Sequence, residues 1–269
     1  MTDEVMNGEA AAAEPAVLVE RKGKVMVITL NRPKAGNSIN PDVTYGLENA
    51  LNMAEADPEV FAVILTGAGE KIFCGGMDLK HLAQFGNKGV LVEGHGFAGF
   101  AERWFSKPLI CAVNGSAMGG GTEFALGCDL IVAADHAKFG LPEVKRGILA
   151  AAGGPIRLMR SVPRAIAMEM LMTGDPLTAQ RALEVGMINQ VVPSEQLMDA
   201  ALALAERVVA NAPIAVRGAK ELAYRSFNMD MDDAFALNLN IKERVYQSED
   251  SKEGPRAFAE KRAAVWQNR

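Results

Sequence analysis

One unit occurs twice in this chain and constrains its fold more than any other feature: a short apolar run, a glycine-rich turn, then a helix. The first copy covers 61–84, with FAVILTG (61–67) as the run and Phe73-Cys74-Gly75-Gly76-Met77-Asp78 as the turn. The second covers 108–127, with PLICAVNG (108–115) leading to Met118-Gly119-Gly120-Gly121-Thr122-Glu123. Unbroken apolar runs bounded by glycine read as buried strands. LIVAAD (130–135) is a third such run, and AVLVERKGKVMVITLNR (16–32) holds two β-rich stretches around Gly23 that read as a hairpin. Alternating strands and helices place the first 150 residues in the α/β class.

Pro41 to Ala56 reads as a helix, with Asn40 as its cap and proline in its first turn. Residues 90–106 mix glycine with apolar and charged residues and read as a weak helix. Past residue 150 the pattern turns helical, at 153–162, 163–174, 178–186, 194–212, 213–227, 230–247 and 250–266, with one short strand at 188–192. The expected organisation is a disordered leader (1–15), a core carrying the site (16–200) and a helical segment (201–269).

Composition removes several function classes. With 49% hydrophobic and 23% charged residues the chain is globular, and 269 residues bury a core without staples. The balance of 28 basic against 33 acidic residues argues against nucleic acid as a partner. No apolar run reaches 18 residues, so no membrane span is expected. The start MTDEVMNGEAAAAEPA lacks the basic and apolar regions of a signal peptide, which makes the cytoplasm the default location. Cys74, Cys111 and Cys128 have no metal spacing and read as buried thiols of a reducing compartment. The dinucleotide pattern GxGxxG fails at Ile72 and again at Phe124, and neither GxxxxGK[ST] nor GxSxG occurs. His81, His95 and His136 show no ligand spacing, so neither a metal nor a Ser-His-Asp triad is expected.

Two glycine turns and two carboxylates remain. Glycine makes up 26 of the 269 residues, above its usual share of about 7%. It admits a ligand close to the backbone, and a helix N-terminus adds free N–H groups and a positive dipole end. Two such turns side by side would aim two N–H donors at one oxygen, the design of an oxyanion hole. Plain tight turns explain the same glycines, and the residues alone leave both readings open. Glu123 and Glu143 each sit among apolar neighbours. Burial raises a carboxyl's pKa and a second carboxylate raises it further, so such a pair can divide acid and base roles. Taken singly, Glu123 would complement a helix dipole, and Glu143 would be a solvated acid beside Lys145 and Arg146.

At this point the chain resembles the crotonase (enoyl-CoA hydratase/isomerase) superfamily. The matching stretches are LNRPKAGNSIN (30–40), FCGGMDLK (73–80), PLICAVNGSAMGGGTEFALGCDLIVAADHAKFGLPEVKRGI (108–148), GGPIRL (153–158) and AFAEKR (257–262). The resemblance spans roughly 20–265. It implies a spiral of ββα units with a C-terminal helical segment used in trimerisation, as a homotrimer or dimer of trimers. It also implies an acyl-CoA thioester substrate, with coenzyme A entering as part of that substrate and no separate cofactor. Carried onto this chain, the family's oxyanion-hole amides fall on Met77 and Gly120, and the hydratase glutamates on Glu123 and Glu143. The coenzyme A contacts fall on Lys34, Ala35, Asp78, Leu79 and Lys261. Keeping both glutamates favours reversible hydration of a 2-enoyl-CoA to a 3-hydroxyacyl-CoA. An enoyl-CoA isomerase, a hydratase for a specialised acyl group such as carnitinyl-CoA, and a non-catalytic acyl-CoA binder are the alternatives. The chain departs from the family at Ala150-Ala151, where many members have Pro-Gly, and at the bulky Met77.

Overall fold

The computed structural model describes residues 14–269, so the expected leader lies almost wholly outside the described residues. The chain opens with the hairpin β1 (Val17–Lys22) and β2 (Val25–Leu30), turning at Gly23, followed by α1 (Pro41–Ala56). Asn40 caps α1 by accepting the Val43 N–H. Three units then follow one plan. The first is β3 (Ala62–Gly67), β4 (Ile72–Cys74) and α2 (Leu79–Phe85). A small hairpin of β5 (Leu91–Val92) and β6 (Gly96–Phe97) separates it from β7 (Leu109–Val113), β8 (Ser116–Met118) and α3 (Gly120–Gly127). The third, β9 (Leu130–Ala134) and β10 (Lys138–Gly140), ends in a 3-10 turn at Pro142–Arg146.

The first strand of each unit joins a six-stranded sheet in the order β1-β2-β3-β7-β9-β12, and the second strand joins a smaller sheet in the order β11-β10-β8-β4. Each unit therefore advances one strand in both sheets at once, which is a spiral of ββα turns. The contacts β2-β3-β7-β9-β12 and β4-β8-β10 are parallel. The chain continues through α4 (Gly154–Ser161), α5 (Arg164–Thr173), β11 (Leu177–Thr178), α6 (Ala179–Glu184) and β12 (Gln190–Val192). It closes with α7 (Leu197–Val209), α8 (Pro213–Ser226), α9 (Met231–Tyr246) and α10 (Glu249–Glu260).

The central strands β2, β3, β7 and β9 of the large sheet are buried on both faces, and strand alternation sorts their side chains. Met26, Ile28 and Leu30 face the layer containing α1, Phe73 and Phe124, whereas Val25 and Val27 face Leu197, Ala201, Ala205 and Val209 of α7. Those four α7 residues recur every four positions and form one apolar stripe. The expected boundary at residue 200 falls inside α7, which belongs to the core.

Two expectations about local structure are corrected. Residues 90–106 are not helical: Gly94, Gly96 and Gly99 have φ of 75°, 69° and 66°, outside the right-handed helical region, and the segment folds as the β5–β6 hairpin with turns. The last helix stops at Glu260, where Lys261 takes φ 52° as its C-cap. The tail beyond it returns to the core, with the Trp266 indole N–H donating to Ala210 C=O at 2.7 Å.

Candidate active site

The glycine turns meet because β4 and β8 are neighbours in the small sheet. Gly76 has φ 82°, and a Cβ on it would lie 2.9 Å from both Gly120 N and Met118 O, so only glycine allows this contact. The Gly76 N–H donates to Cys74 Sγ at 3.4 Å. Burial pushes the Cys74 thiol up to about 12, which keeps it protonated and structural. Met77 is held beside Ile39 in a parallel bridge, with Ile39 N–H donating to Gly76 C=O and Asp78 N–H to Ile39 C=O. Neither Met77 N–H nor Gly120 N–H donates to another group among the described residues. The second amide opens α3, which adds the positive end of a helix.

Glu123 sits in the first turn of α3 and is 3% exposed. Its Oε1 accepts the Gly154 N–H at 2.8 Å, and the Ala152 N–H faces the same carboxylate. Burial pushes its pKa up to about 7; the two N–H groups and Arg157 oppose the rise, and the Glu143 charge adds to it. Glu143 comes from the 3-10 turn after β10, and burial raises its pKa too. Its Oε2 is buried without a hydrogen-bond partner among the described residues. Its Oε1 lies 2.6 Å from where a Cβ on Gly119 would stand, so the glycine triplet leaves room for this carboxylate as well as for the amide. Phe97 walls the site, since a Cβ on Gly120 would meet its ring at 2.8 Å. Two free amides beside one buried and one half-buried carboxyl, the latter with an unused buried acceptor, can polarise a carbonyl and hold a water molecule.

The sequence profile of the enoyl-CoA hydratase/isomerase family matches residues 20–269. The chain belongs to the enoyl-CoA hydratase/isomerase family, that is, to the crotonase superfamily. It is 39% identical over 252 residues to the short-chain-enoyl-CoA hydratase of Clostridium acetobutylicum, covering 91% of this chain and 95% of that protein. It is 42% identical over 251 residues to the carnitinyl-CoA dehydratase of Salmonella arizonae, covering 91% and 96%. Among solved structures, an enoyl-CoA hydratase from Mycobacterium tuberculosis superposes with TM-score 0.91 at 48% identity, covering 95% of this chain and all of that one. A carnitinyl-CoA hydratase from Mycobacterium avium superposes with TM-score 0.77 at 46% identity, over 96% of this chain and all of that one.

The other crotonase positions are distributed unevenly. Lys34 and Ala35 are exposed in a 3-10 turn at Pro33–Ala35, next to the first glycine turn, where Gly75 N–H donates to Gly36 C=O at 2.9 Å. Leu79 is exposed at the start of α2. Asp78 is engaged: it caps α2 through Lys80 and His81 N–H and pairs with Arg32 at 3.1 Å. Burial alone would raise its pKa, but these partners bring it below the usual carboxylate value. Lys261 is exposed at the end of α10, which packs on α9.

The sequence reading missed Thr122, whose hydroxyl lies 2.8 Å from Ala117 C=O and 2.9 Å from Gly140 C=O and ties β8 and β10 to α3. It also missed Asn114, which accepts the Gly67 N–H and donates to Gly69 C=O. A hydroxyl next to the glycine triplet was the one available signal. A cleft of about 690 Å³ lies at the far end of α3, lined by Cys128, Asp129, Lys220 and Tyr224 among others, and contains neither glutamate.

Proposed function

We propose that this chain catalyses reversible addition of water to a 2-enoyl-CoA, giving a 3-hydroxyacyl-CoA. The observation that carries this reading is the unpartnered, buried Oε2 of Glu143 in a site where Glu123 is also buried and raised in pKa. The thioester oxygen accepts hydrogen bonds from the N–H groups of Met77 and Gly120, which stabilises the enolate as charge develops. The water lies between the carboxyls. One takes a proton from it as hydroxide adds to the β-carbon, and a proton is delivered to the α-carbon, so the pair ends each cycle with its proton count restored. No separate cofactor takes part, and coenzyme A enters as the handle of the substrate. Lys34 and Ala35 are proposed to contact that handle from the loop beside the first glycine turn.

A specialised acyl group is a second reading, favoured by the 42% identity to a carnitinyl-CoA dehydratase and by Ala150-Ala151 where many relatives have Pro-Gly. We further propose a homotrimer or dimer of trimers in the cytoplasm, in which Lys261 serves a partner's site. Met231, Phe235 and Leu239 form an exposed apolar stripe on α9, at 68%, 60% and 62% exposure, and Phe258 on α10 is 87% exposed. Among the described residues no helix is long and apolar enough to cross a membrane. A panel of straight-chain, branched and carnitine-derived enoyl-CoA thioesters, followed at the conjugated absorbance band, tests the activity. Loss of the band with the straight-chain or carnitine-derived members supports it, and no change with any member refutes it.

A further inference from the structure

Arg157 reaches back from α4 across the loop that holds Glu123. Its Nη1 donates to Ala152 C=O at 3.1 Å and its Nη2 to Ala101 C=O at 2.6 Å. The guanidinium lies against bare backbone: Gly153 has φ 96°, and a Cβ there would stand 2.2 Å from Nη1. The peptide bearing the Ala152 carbonyl lies between the two peptides whose N–H groups, Ala152 and Gly154, face the Glu123 carboxylate. Holding the Ala152 carbonyl fixes the peptide that links the two donors. Ala101 follows Phe97, the ring that walls the Gly120 amide, so one guanidinium ties the carboxylate's loop to the wall of the site.

We propose that Arg157 is a positioning residue for Glu123, fixing the 152–154 backbone that orients the carboxylate. The role rests on the hydratase reading given above. Lysine is shorter and carries a single ammonium in place of the planar fork whose two nitrogens reach Ala152 and Ala101. The charged groups facing Glu123 are Glu143 from the 142–146 turn and Arg157 from α4. β4 contributes only the Cys74 thiol, and β8 has no ionisable side chain. Removing the Arg157 charge therefore raises the pH at which Glu123 titrates.

The test compares wild type with Arg157→Lys and Arg157→Met, reading kcat, KM and pH profile with crotonyl-CoA alongside the melting temperature. Both variants are expected to lose about 10- to 100-fold in kcat, the scale of a misplaced catalytic group, with KM within about threefold. The limb set by Glu123 should move to higher pH in Arg157→Met and stay in place in Arg157→Lys. Unchanged kcat in both, full rescue by lysine, or a loss that matches the unfolded fraction overturns the role. Wild-type hydration with unaltered variants sinks this inference alone. A wild type that hydrates no enoyl-CoA sinks the proposed function and this role with it.

Discussion

Replacing Glu123 by glutamine should lower activity and, above neutral pH, raise stability. In the native protein burial moves this carboxyl from 4.5 to about 7. A rise of about 2.5 pH units corresponds to about 3 kcal/mol at 1.36 kcal/mol per unit. The unfolded chain titrates near 4.5, so the native state holds the extra proton between the two values. The stability linked to that proton is fully present below the unfolded pKa and is lost as pH rises through about 7. Glutamine stays neutral, and its Oε1 can still accept the Gly154 N–H. Glu123→Gln should thus gain on wild type by about 2.5 kcal/mol between pH 5 and pH 8, or roughly 5–10 °C in melting temperature for a chain of this size. Hydration of crotonyl-CoA should fall by about 10²- to 10⁴-fold, the usual worth of a positioned acid or base. The assay pairs thermal melts at the two pH values with initial rates. A melting difference that does not change with pH would refute the burial argument, and near-normal turnover would refute the catalytic one.

Other substitutions probe separate parts of the site. Glu143→Gln should cost a similar factor in rate with little loss of stability, because its Oε2 has no partner to lose; a rate within threefold of wild type counts against it. Thr122→Val should destabilise by about 1–3 kcal/mol, since the Gly140 N–H is left buried without its acceptor; an unchanged urea midpoint would contradict this. Asp78→Ala should cost about 1 kcal/mol through loss of the α2 cap. Because the Asp78 pKa is depressed, its contribution is present above the ordinary carboxylate value of 3.8 and lost as pH falls through the lower folded value, so the deficit should shrink in acid melts.

The long apolar strands and the Asn40 cap of α1 were legible because burial on both faces and capping chemistry leave local marks; Ser194 reads as a cap of the next long helix but lies in a 3-10 turn before it and caps nothing. Glu123, Glu143, Met77 and Gly120, marked in the sequence by glycines and apolar neighbours, stand where the two turns meet. The second strand of each unit was not legible. Residues 72–74, 116–118 and 138–140 are three residues long, too short for a period to show, and they are strands because the neighbouring unit pairs with them. The 90–106 segment mixes glycine with apolar and charged residues and reads as a weak helix, but its glycines take positive φ and turn it into the wall carrying Phe97. Arg157 carries no local mark at all, since its work is to join carbonyls at Ala101 and Ala152 that are far apart in the chain.

The central claim is that two carboxyls add water across a conjugated thioester held by two amides. It is tested most directly by running wild-type enzyme with crotonyl-CoA in water enriched in heavy oxygen and analysing the product by mass spectrometry. The account predicts heavy oxygen in the 3-hydroxyl of 3-hydroxybutyryl-CoA, with the signal lost in Glu123→Gln and Glu143→Gln. Migration of the double bond without incorporation, or incorporation that survives both substitutions, would contradict it.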